Sequence, residues 1–72
     1  MCANDKAVQE YLERLRSLLL DGYTVVHDTK QGNFEFVRLR HRNNGKSVFL
    51  SRRDNVVQQR SGTRLVFSIA YE

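Results

Sequence analysis

The spacing of the apolar residues changes once along this chain, at Gly22, and that change decides what it can fold into. Before it, Val8, Tyr11, Leu12, Leu15, Leu18 and Leu19 recur at steps of three and four, which puts them on one face of a helix. Glu10, Glu13, Arg14, Arg16 and Ser17 fill the other face, with Glu10 four residues ahead of Arg14 in the favourable order for a surface pair. Asn4 or Asp5 can cap the helix start, and Gly22 suits the left-handed position that ends one. The spacing predicts a helix over 5–20.

Beyond Gly22 the pattern is extended. Tyr23 to Thr29 is rich in β-branched residues, as strands are. Polar–glycine punctuation then cuts the chain into further strands at 34–42, 46–52, 56–60 and 64–71. Asn44-Gly45 predicts a two-residue hairpin loop of type I′. That register sets Leu39 opposite Leu50 and Arg40 opposite Phe49. Ser61-Gly62 predicts a second tight turn, pairing Val57 with Val66. The expected fold is therefore α+β: one domain over 1–72, an N-terminal amphipathic helix packed on a four- to five-stranded, mostly antiparallel β-meander.

Alternation divides the second and third strands into two faces. One carries Val37, Leu39, His41, Val48 and Leu50. The other carries Phe34, Phe36, Arg38, Arg40, Arg42, Phe49 and Arg53. Leu65, Phe67, Ile69 and Tyr71 make a further apolar set that the helix or a second subunit must bury. One helix covers one face, and the spacing leaves open which. The 51–55 segment, a tight turn or a bulge, leaves the two hairpins' registers unlinked.

Charge is segregated along the chain. Residues 1–35 hold four cations against six carboxylates, net −2, and residues 36–72 hold eight against two, net +6. Seven of those eight cations are arginine, whose planar fork suits phosphate and stacks on rings. Arg38, Arg40 and Arg42 alternate along one strand beside Phe36, with Phe49 across from them. That combination suggests nucleic acid or another polyanion, such as an acidic protein surface, held by Arg38, Arg40, Arg42, Arg53, Arg64, Lys46, Phe36 and Phe49. The competing expectation is a protein-interaction or homodimeric module, motivated by the surplus of apolar faces over helices.

Catalysis is not expected, nor is a cofactor or metal. Cys2 is the lone cysteine, and with His27 and His41 it does not compose a zinc site. His27 and Asp28 point to opposite faces, His41 reads as a hydrogen-bonded structural residue, and Asp28 with Glu35 lacks a third ligand. No apolar run exceeds the three residues of Leu18-Leu19-Leu20, so no membrane span and a cytoplasmic location are expected.

Overall fold

The computed structural model describes residues 5–72. Helix α1 (Asp5–Leu20) is followed by β1 (Tyr23–Gln31), β2 (Phe34–His41), β3 (Ser47–Arg53), β4 (Val56–Ser61) and β5 (Arg64–Ala70). The strands form one antiparallel sheet in chain order, so the α+β meander expected from the spacing is the fold. No helix among the described residues is long and apolar enough to cross a membrane. The capping position Asn4 and the thiol of Cys2 lie outside the described residues.

α1 lies on the face bearing Val37, Leu39, Leu50 and Val57, which it seals with Ala7 and Tyr11. Leu15, Leu18, Tyr23, Phe67, Ile69 and Tyr71 pack around that core. The helix sits rotated from the expected orientation. Ala7, Tyr11 and Leu18 point at the sheet, while Leu12 and Leu19, about 100° further round, remain 53% and 46% exposed. The other flank turns Glu10 and Arg14 toward β4 and β5. Arg14 donates to Gln59 Oε1 at 3.1 Å, and its guanidinium lies 3.3 Å from the centre of the Phe67 ring. Tyr71 donates its hydroxyl proton to Glu10 at 3.3 Å. Residues expected on a solvated face thus clamp the helix to the far side of the sheet.

Gly22 adopts φ +103°, and a Cβ there would stand 3.0 Å from His41 Nε2. The turn is closed by that imidazole, whose Nε2 lies 3.0 Å from the Asp21 carbonyl, and His41 is the structural residue anticipated. The loop after β2 differs from the expected type I′ turn, which needs positive φ at both central residues. Here Gly45 has φ +73° and Asn44 does not. Instead, His41 donates its amide to the Lys46 carbonyl at 2.8 Å, leaving a four-residue loop over 42–45. Asn44 Oδ1 accepts the Lys46 amide inside that loop at 2.9 Å. The register consequently places Leu39 opposite Val48 and Val37 opposite Leu50. That is a slip of two from the expected pairing, which keeps every side chain on its assigned face.

The last hairpin departs further from the expected register. Gly62, at φ +64°, takes the first central position of the turn, so Ser61 pairs with Arg64 and the turn is Gly62-Thr63. A bulge then intervenes and Val57 faces Ile69, not Val66. Leu65 is thereby displaced from the apolar set expected to be buried and is 45% exposed. A second bulge falls at Val26 in β1. Both edge strands are therefore kinked, a common way to blunt a sheet edge. Between β3 and β4 the chain makes a tight two-residue turn, Asp54-Asn55, with Asp54 at φ +54°. This turn links the two hairpins' faces. It is braced by Asp54 N donating to Asn33 O at 2.8 Å and by Asn55 Nδ2 donating to the Tyr71 carbonyl.

Beneath the helix lies one buried charge. Arg52 is 3% exposed. Its Nε and Nη2 reach Glu35 Oε2 at 3.0 and 2.7 Å, and Nη1 reaches the Asp54 carbonyl at 2.7 Å. Burial, then the negative charges of Glu35 and Asp28, push the Tyr11 phenol up to about 12, while Arg52 pulls the other way. The Tyr71 phenol is pushed up too, by desolvation and then by Glu10.

This polar seam should be measurable in unfolding. Arg52→Ala leaves the part-buried Glu35 carboxylate unpaired and should cost about 2 kcal/mol in urea unfolding at neutral pH, whereas exposed Arg53→Ala should stay within about 0.5 kcal/mol. Because Tyr11 holds its proton more tightly folded than unfolded, its contribution is intact below pH 10 and lost as pH rises toward 12. The unfolding free energy should fall across that window, and Tyr11→Phe should show a smaller fall.

Candidate functional site

Once α1 occupies one face, the other stands free, and the register assembles it in rows. His27, Arg38, Phe49, Arg60 and Leu65 form the first row across the sheet. Thr29, Phe36, Ser51, Gln58 and Ser68 form the second. Gln31, Phe34, Arg53, Val56 and Ala70 form the third. Arg40 lies beyond the first row, between Thr24 and Ser47. Successive rows are about 7 Å apart, two residues along a strand.

The aromatic residues touch one another. Phe34 and Phe36 are near parallel, 9° apart with centroids at 6.4 Å, and Phe36 and Phe49 follow at 26° and 6.0 Å. A guanidinium caps each end of this run. Arg53 lies 5.1 Å from the centre of Phe34, and Arg38 lies 5.7 Å from the centre of Phe49. Such contacts hold an arginine over a ring while its N–H groups stay available to solvent or a ligand. The rings are only half-buried, and Arg38, Arg40, Arg53 and Arg60 are exposed.

Among the described residues, no carboxylate belongs to these rows. Asp5, Glu10 and Glu13 ride on α1, Asp21 follows it, and Asp28 and Glu35 fall on the covered side of β1 and β2. Asp54 occupies a turn and Glu72 the C-terminus. The ion pairs Glu10–Arg14 and Glu35–Arg52 lie on the helix side, at 2.8 and 2.7 Å. The sequence's charge asymmetry therefore becomes a spatial one: a helix side where carboxylates and cations are mixed, and a sheet face whose four arginines have no carboxylate in their rows among the described residues.

Two shallow depressions mark this face. One, of about 430 Å³, is lined by Phe36, Phe49, Ser51, Arg60, Gly62 and Thr63. The other, of about 290 Å³, is lined by Phe34, Ser51, Arg53, Val56 and Gln58. They meet at Ser51, whose small side chain leaves the gap between the ring run and β4.

Of the residues expected to form a site, Arg38, Arg40, Arg53, Phe36 and Phe49 come together. Arg42 and Lys46 do not extend the strand row; they belong to the loop after β2 and its closing position, because that loop is four residues long. Arg64 pairs with Ser61 beside the last turn, away from the rings. Phe34, which alternation had already placed on this face, completes the ring run, and Arg60 joins the face without having been singled out. Arg60 could have been found by pairing Arg53 with Val56 across a two-residue Asp54-Asn55 turn and counting in twos from Val56, but the sequence left that turn undecided. His27 sits in the first row with Nε2 3.1 Å from Thr29 Oγ1, while Asp28 points to the covered side. No family model, curated protein or solved structure matches this chain.

Proposed function

We propose that this protein is a nucleic-acid-binding module and that the uncovered sheet face is its binding surface. The observation that carries this reading is the make-up of that face: four exposed arginines and three contiguous phenylalanine rings, with no carboxylate in its rows. Arginine neutralises phosphate and releases counter-ions, while exposed rings offer bases a stacking surface. A purely solvated face would gain nothing from a run of half-buried rings, because exposed aromatic surface is costly unless something covers it.

Fluorescence anisotropy with labelled single-stranded and duplex oligonucleotides tests the reading. Binding should weaken steeply with salt. Four phosphate contacts correspond to a slope of log K against log salt of about −3 on a single strand. Arg38→Ala/Arg40→Ala should reduce the slope to about −1.4 and weaken binding to all sequences alike. No binding by folded protein at low salt would end the reading.

A second reading, self-association, is favoured by one observation. Leu12 and Leu19 lie two turns apart on one flank of α1, and Leu20, Val25 and Val26 near the start of edge strand β1 are also exposed. If this region is an interface, sedimentation should show a concentration-dependent dimer that Leu12→Ser/Leu19→Ser dissolves. A monomer at high concentration would remove that reading and leave the first untouched.

A further inference from the structure

Resting on the nucleic-acid reading, we infer that the two depressions meeting at Ser51 are adjoining subsites for two consecutive unpaired bases, so that the preferred ligand is a single strand running along β3, between β2 and β4. This path crosses the second row at Ser51, where the two depressions meet. That row offers small or polar side chains at Thr29, Ser51, Gln58 and Ser68, between flanking rows that carry Arg38, Arg60 and Arg53. Each depression has its own ring wall and its own cation: Phe36 and Phe49 with Arg60 in one, Phe34 with Arg53 in the other. Volumes of about 430 and 290 Å³ lie in or near the range of small-ligand sites. A base entering edge-first would contact a phenylalanine while its phosphate met the neighbouring guanidinium. The Gln58 amide, 3.5 Å from Ser68 Oγ, is placed to exchange that weak contact for a base edge. A duplex keeps its bases stacked inside and cannot fill these subsites, so it would engage the arginines alone.

The test separates base entry from charge attraction. Ser51→Leu fills the meeting point of both depressions and leaves every charge in place. Affinity is measured for oligouridine, for oligothymidine and for heparin, a polyanion without bases. Oligonucleotide binding should fall about tenfold in Ser51→Leu, with heparin binding unchanged within twofold. Ser51→Thr, small and strand-favouring, should retain wild-type affinity and guards against a folding defect. The chain contains no tryptophan, so Phe36→Trp supplies a single indole reporter whose emission should be quenched by oligouridine and not by heparin. Oligouridine and oligothymidine distinguish RNA from DNA; binding of either at the subsites supports the inference. Unchanged oligonucleotide affinity in Ser51→Leu, equal weakening of heparin, or an indole left unquenched in Phe36→Trp with oligonucleotide bound would each overturn it. Failure of wild-type protein to bind any of the three ligands would instead refute the underlying reading.

Discussion

A single helix against a two-faced sheet is the constraint from which the rest of this structure follows. α1 can desolvate one face, so the sequence must sort its strand residues by parity, and the turns must preserve that sorting. The turns at Gly32-Asn33, Asp54-Asn55 and Gly62-Thr63 have two residues and the 42–45 loop has four, so parity is kept across every turn. The edge bulges at Val26 and Val66 fall outside β2 and β3, where the core is built. Val37, Leu39, Leu50 and Val57 consequently meet Ala7 and Tyr11 under the helix, and the opposite parity is left to water. A slip of one residue between β2 and β3 would bury Arg38 and expose Leu39, at a cost far beyond a small domain's stability.

The same sorting separates charge. The covered side receives Glu35, and Arg52 is drawn in to neutralise it, the pair joined to the Asp54 turn through a backbone carbonyl. Glu10 and Arg14 close the far flank of the helix. Every carboxylate assigned to a strand goes to the helix side, so the arginines of the open face act together as a field directed outward. The rings give that field a second function. Phe49 and Phe34, at the two ends of the ring run, hold Arg38 and Arg53 by cation–ring contact, which limits how far these side chains wander.

Much of this was legible in the sequence, and the gaps have physical causes. The helix bounds, the five strands and the division of β2 and β3 into an aliphatic and an arginine–aromatic face all follow from spacing. The parity survived even where the Asn44-Gly45 register was wrong, because the true loop is longer by an even number of residues. What spacing could not supply was helix rotation. Leu12 and Leu19 fit the apolar stripe as well as Leu18 does, yet Ala7 and Tyr11 are the helix residues buried in the core. Nor could it supply the bulge at Val66, which releases Leu65 from the core. The partial loss of the expected site has the same origin. Arg42 and Lys46 looked like strand residues until His41 closed a wider loop, and Arg60 joined the face only once the Asp54 turn proved tight.

The central claim is that the arginines of the free face, and not those beneath or beside the helix, meet the ligand. Side-chain Nε–Hε resonances of nitrogen-15-labelled protein, followed during titration with oligouridine at low salt, read this claim arginine by arginine. The account predicts that Arg38, Arg40, Arg53 and Arg60 shift together and saturably while Arg14 and Arg52 stay fixed. Shifts confined to Arg14, Arg16 and the helix, or spread evenly over every arginine, would contradict it.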